Sequence, residues 1–181
     1  MKRLFAPVLI LLAVVGAMSA CSSGDGNSEA SFNKADVEFV QGMIPHHSQA
    51  IEMAKLASTR AETPEVKALA TRIEDAQDPE IKQMRSWLKE WDEPEKSMAG
   101  DEMGAGMMSG ADMDKLRAAK GADFDQMFLT MMIVHHKGAV GMAQTERQDG
   151  KNADAKKLAA DIIETQEAEI VEMTGLLESS N

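Results

Sequence analysis

Shifted by 89 residues, the chain aligns with itself without a gap. Residues 36–88 pair with residues 125–177, and 18 of the 53 positions are identical. Ordinary composition would give about three matches by chance. A duplicated chain folds each copy into the same unit and must bury the two apolar faces against each other. In the first copy Phe39, Met43, His46/His47, Ala50 and Met53/Ala54 recur at helical spacing, and Phe128, Met132, His135/His136, Ala139 and Met142/Ala143 repeat them. Further on, Leu69, Ile73, Gln77, Glu80/Ile81, Met84 and Leu88 form a second stripe, repeated by Leu158, Ile162, Gln166, Glu169/Ile170, Met173 and Leu177.

Each copy therefore reads as a helical hairpin. Residues 58–62 break the first, and Thr63-Pro64 follows as an N-cap with Pro at the first helical position. The second breaks at Asp149-Gly150, after which Asn152 or Asp154 can cap the next helix. Aromatics are 4% of the chain and Tyr is absent, which argues against a sandwich or barrel. The predicted fold is all-α: a ferritin-like four-helix bundle of two duplicated hairpins, residues 33–91 and 122–179, occupying 33–181 as one domain. The Met-rich stretch 92–121 is too long for a turn. It suits a crossover that makes the second and third long helices run the same way, with a short helix at residues 113–119.

The chain opens with Met1-Lys2-Arg3 and an apolar run at residues 4–15, too short to span a bilayer. Residues 1–20 read as an export signal. Met18-Ser19-Ala20-Cys21 resembles a bacterial lipobox, with Met18 where Leu is usual. That resemblance implies cleavage before Cys21, a lipid on its sulfur, and a flexible tether over residues 21–32 leading from the membrane; the alternative is a plain signal cut nearby, or a free thiol at Cys21. Loss of Lys2 and Arg3 takes the net charge from −11 to −13, so no basic surface is available for nucleic acid. With its one Cys acylated the mature chain has no disulfide.

All four histidines occur as adjacent pairs, His46-His47 and His135-His136, at equivalent positions of the duplication. Adjacent helical residues differ by about 100° in direction, so one of each pair points inward and the other lies on a flank. Met43 and Met132 stand one turn before the pairs, and Met53 and Met142 about two turns after. Imidazole with thioether and few carboxylates suits copper, because thioether favours Cu(I) and imidazole accepts both oxidation states. His46, His47, His135, His136, Met43, Met132, Met53 and Met142 are the candidate ligands. The competing reading is four hydrogen-bonded core histidines amid Met used as filler. Pro45 removes a helical donor in the first copy only. Glu80 with Glu169, and Gln77 with Gln166, align between the copies as partners of the site or as solvated flank.

The crossover carries Met98, Met103, Met107, Met108 and Met113 among Gly, Ser, Asp and Glu. So polar a segment is not expected to form a core. Its thioethers read either as a weak Cu(I) collector or as a cover on the bundle surface. A di-iron centre is disfavoured, since the residues three before the histidines are Met43, Ile44, Met132 and Ile133 rather than Glu. No Ser-His-Asp arrangement, Cys nucleophile or phosphate loop stands out.

The segments Met43-Ile-Pro-His-His-Ser-Gln-Ala-Ile-Glu-Met-Ala, Gln77-x-x-Glu-Ile-x-x-Met, Phe128-Leu-Thr-Met-Met-Ile-Val-His-His and Gln166-Glu-Ala-Glu-Ile-Val-Glu-Met resemble domain of unknown function 305, over about residues 36–177. The resemblance implies a ferritin-like helical fold and an exported protein, in a family with copper-binding members. The reading is a lipid-anchored copper-binding protein that sequesters or hands over copper outside the cytoplasm without turning over a substrate. Its rivals are a structural or interaction module and, more remotely, a metal-dependent redox enzyme. Imidazole must be neutral to ligate, and its free pKa near 6.5 predicts that binding weakens below about pH 6.

Overall fold

The computed structural model describes residues 31–96 and 104–179. The signal, Cys21, most of the tether, Met98 and Met103 lie outside the described residues. Among the described residues there are four long helices and one short one: α1 (Lys34–Arg60), α2 (Pro64–Glu90), α3 (Gly110–Ala118), α4 (Ala122–Asp149) and α5 (Ala153–Ser179). Local chemistry sets their ends. Asn33 caps α1 by accepting from the Ala35 and Asp36 amides, and Asp36 reaches back to the Asn33 amide in a capping box. Thr63 caps α2 with Pro64 following, and Asn152 accepts from the Asp154 and Ala155 amides at the start of α5. No helix among the described residues is long and apolar enough to cross a membrane.

The hairpins α1–α2 and α4–α5 meet along a seam between α1 and α4. Asn33 Nδ2 donates to the Asp149 carbonyl at 2.8 Å at one end of the seam, and the Gly121 amide donates to the Arg60 carbonyl at 2.8 Å at the other. α1 and α4 are therefore antiparallel, and α2 and α4 run the same way, as the crossover length predicts. The two copies latch each other reciprocally. Asp36 accepts from the Lys151 and Asn152 amides of the second hairpin's turn. Asp125, its equivalent, accepts from the Glu62 and Thr63 amides and the Thr63 hydroxyl of the first.

The core divides into two apolar layers. One joins Val37, Phe39, Met43 and Ile44 to Trp87, Leu88, Ala155 and Ile162. The other joins Met53, Ala57, Leu69 and Ile73 to Phe124, Phe128, Met132 and Met173. Between them, at mid-height, lie the four histidines. Part of the crossover covers the bundle, one of the two readings its sequence allows. Ser109 caps α3, which buries Met113 and Leu116, and Met108 packs against the second layer. Helix formation turns two apolar side chains of a polar segment to one side, so packing accounts for part of its methionine.

One buried carboxyl breaks the symmetry. Glu146, 1% exposed, takes the place of Ala57 and lies beside Asp36. Burial first, then the hydrogen bond and charge of Asp36, push Glu146 up to about 8, against the pull of Lys156. Burial also works to raise Asp36, but hydrogen bonds from Glu146 and the Asn33, Asn152 and Lys151 amides outweigh it and hold Asp36 low. At neutral pH Glu146 is therefore protonated beside the Asp36 carboxylate. Gly150 leaves room for it, since a Cβ there would sit 2.2 Å from Glu146 Oε1. The folded state thus keeps a proton that the unfolded chain releases above about pH 4.5, and stability falls as pH rises toward 8. Glu146→Gln removes that slope. In urea unfolding, wild type should lose on the order of 2 kcal/mol more than the variant between pH 5 and pH 9; equal slopes would contradict the assignment.

Candidate metal centre

The seam brings His46 of α1 onto His135 of α4, with ring centroids 3.7 Å apart and an interplanar angle of 39°. Both are 1% exposed. His47 and His136, one residue further round each helix, turn toward the second helix of their own hairpin. His47 Nε2 pairs with Glu80 Oε2 at 2.7 Å, and His136 Nε2 with Glu169 Oε2 at 2.7 Å. All four rings are buried, including the two expected on a flank. The same i to i+33 step occurs in both copies, so the aligned glutamates are interhelical partners rather than solvated flank.

The layer is short of hydrogen bonds. Among the described residues neither nitrogen of His46 or His135 has a partner, nor does Nδ1 of His47 or His136, nor Oε1 of the buried Gln77 and Gln166. Such atoms each cost ~1–3 kcal/mol when buried unpaired, and most native buried polar groups avoid it. The Glu pairs fix two rings by Nε2 and leave Nδ1 open, while the central two rings have both nitrogens open.

Burial, followed by the neighbouring His47, pushes the His46 imidazole down to about 3. The Ala105 carbonyl is turned toward the ring and partly opposes this without completing a hydrogen bond. His135 is held well below its ordinary value, by burial first and then by His46, His136 and His47. Both rings are therefore neutral donors well below pH 6, which corrects the expectation drawn from a free imidazole.

Met43 and Met132 are fully buried and flank the layer on opposite sides, because each precedes its His by three residues on antiparallel helices. Met53 and Met142 are seven residues beyond His46 and His135, about 10 Å along the axis, and sit within the apolar layers. Met107 lies beside Ile44, Pro45 and Gln49 at the surface. Among the described residues no three His, Cys, Asp or Glu side chains are gathered closely enough to hold a metal ion by themselves. The donors form a facing imidazole pair with thioethers a turn away, a soft and sparsely charged set. A cavity of about 550 Å³ at the turn end, lined by Glu62, Thr63, Asp125, Leu129 and Leu176 among others, contains none of the histidines.

Residues 36–177 match the family described as a domain of unknown function, DUF305. A crystal structure of a DUF305 protein of Streptomyces coelicolor, described as secreted, superposes with a TM-score of 0.76 at 32% identity, over 81% of this chain and 93% of that one. CopM in its Cu(II)-bound form superposes at 0.72 with 37% identity, covering 81% and 97%, and in its Cu(I)-bound form at 0.68 with 36% identity, covering 80% and 96%. Among curated proteins, the uncharacterized protein L153 of Acanthamoeba polyphaga mimivirus is 47% identical over 55 residues, about a third of either chain (30% and 36%).

The central imidazoles supply a direct check. In long-range ¹H–¹⁵N spectra of the apoprotein, the His46 and His135 ring nitrogens should keep the pattern of neutral imidazole at pH 5. A titration midpoint near 6.5 for either ring would contradict the buried, unprotonated pair. The same depression makes acid destabilising, because below about pH 6.5 the unfolded chain binds these protons first.

Proposed function

The chain belongs to the DUF305 family, and on that premise we propose that it is an exported protein that binds copper for sequestration or hand-over. The observation carrying this reading is the buried His46–His135 pair, all four of whose nitrogens are unpartnered among the described residues. A chain gains nothing in stability from such a pair, whereas a soft metal ion uses those lone pairs. Its likeness to CopM, solved with Cu(I), Cu(II) and silver, supports the choice of metal. His46 and His135 are the proposed central donors. His47 and His136 are outer donors through Nδ1, oriented by Glu80 and Glu169 as carboxylates orient metal-bound imidazoles elsewhere. Met43 and Met132 are the proposed thioether donors. Met53 and Met142 are the most distant candidates.

Copper here is cargo, not a catalytic cofactor, and no substrate is turned over. The signal and Cys21 support an anchored location on the outer face of the cell membrane. A second reading keeps one specific observation in its favour: the His47–Glu80 and His136–Glu169 bonds are satisfied interhelical contacts. A structural or interaction module would need those and no metal.

Cu(I) competition titrations separate the readings. The double variant His46→Ala/His135→Ala should lose the tight class of sites, at least a hundredfold in affinity, while keeping a helical circular-dichroism spectrum. Full retention of tight binding would exclude this pair as the site. The anchor is tested independently. Cys21→Ser should move the protein from the membrane fraction to the soluble one, and membrane retention of that variant would contradict lipidation.

A further inference from the structure

Next to the His46–His135 pair, His47 and His136 turn to α2 and α5 through Glu80 and Glu169, and Gln77 and Gln166 are buried on the same two helices. The outer side of the pair is closed by a few residues of crossover backbone. Residues 104–108 (Gly-Ala-Gly-Met-Met) run across α4 and onto α1 at the height of the pair. On α4 the approach is backbone to backbone. A Cβ on Gly138 would stand 2.0 Å from the Ala105 carbonyl oxygen, and one on Gly106 would meet the Val134 and His135 carbonyls at 2.7 and 3.0 Å. Gly106 also has φ +82°, which favours glycine. On α1 the strand of backbone is gripped by one side chain. Gln49 accepts from the Met108 amide at 2.7 Å and donates to the Met108 carbonyl at 2.9 Å.

Gln49 and Gly138 are the same position of the duplication, 89 residues apart. Where two copies of one hairpin face each other, this position has diverged into a two-bond clamp on one side and a bare backbone surface on the other. Both changes serve the same five residues. The strap carries two thioethers, Met107 and Met108, and its Ala105 carbonyl is turned toward the His46 ring.

We propose that residues 104–108 are the access gate of the His46–His135 pair, latched by Gln49 and seated on Gly138, through which a soft metal ion enters and leaves. The proposal rests on the copper reading for its cargo, but not for the gate itself. The pair otherwise lies within packed helices, whereas the strap is held by two hydrogen bonds, the glycine contact and the packing of Met108 against the second layer. Lifting the strap exposes both rings without unfolding a helix.

The experiment compares wild type, Gln49→Ala and Gly138→Ala in two assays, with circular dichroism confirming that each variant is folded. The first is stopped-flow transfer of Cu(I) from its bicinchoninate complex. The second needs no metal: carbethoxylation of His46 and His135 in the apoprotein by diethyl pyrocarbonate, mapped by fragment mass spectrometry. Loss of the clamp, two hydrogen bonds, should raise the open population by about tenfold. Gln49→Ala should accelerate carbethoxylation and Cu(I) uptake by that order, with equilibrium affinity within about threefold of wild type. Gly138→Ala should act in the same direction by displacing the Ala105 carbonyl. Unchanged carbethoxylation in both variants overturns the gate, even if copper binds. Faster carbethoxylation with no copper bound by any of the three proteins upholds the gate and removes the copper reading.

Discussion

Burying a polar atom without a partner costs a folded chain more than almost any single contact returns. The middle of this bundle does so repeatedly, in one layer. Among the described residues, six imidazole nitrogens and two glutamine oxygens lie unpaired between two well-packed apolar layers. The rest of the molecule makes that layer tolerable. Four helices of 27 or 28 residues hold it rigidly from both sides. The reciprocal Asp36 and Asp125 latches fix the register of the hairpins at both ends. That register is what sets His46 against His135.

Duplication explains the geometry economically. Antiparallel placement of two duplicated hairpins puts equivalent residues face to face across the seam, so one sequence motif becomes a facing pair of imidazoles. It also places Met43 and Met132 on opposite sides of the layer. Departures from the symmetry are then informative. Glu146 replaces an alanine and keeps its proton beside Asp36. Gln49 and Gly138 diverge where the crossover passes. The first concerns how stability varies with pH, and the second concerns what can reach the imidazoles.

Much of this is legible in the residues. The gapless repeat gives the hairpins, and the apolar stripes give the helical bundle. Thr63-Pro64 and Asn152 give the caps, and the family resemblance is borne out over the residues expected. The hidden part consists of interactions between residues distant in sequence. Periodicity leaves both members of each His pair near the apolar face and cannot say which meets the seam. The role of Glu80 and Glu169 had a signal, since each follows its histidine by 33 residues in both copies, yet the hydrogen bond depends on hairpin packing. The burial of Met113 depends on α3 finding a docking surface, which a polar local composition conceals. The depressed His46 pKa is a property of burial, and reference values for free imidazole predict the wrong pH range. Gln49 and Gly138 look unrelated until the strap is seen between them.

The central claim is that the His46–His135 pair is retained for a metal ion at the expense of the metal-free fold. The most direct test is thermal unfolding of wild type and His46→Leu/His135→Leu, each with and without Cu(I). Leucine removes the unpaired nitrogens and keeps apolar bulk, so the metal-free variant should melt above the metal-free wild type. Cu(I) should raise the melting temperature of wild type and leave the variant unchanged. A variant that melts well below wild type, and gains as much from Cu(I), would show that the pair holds the fold together and that copper binds elsewhere.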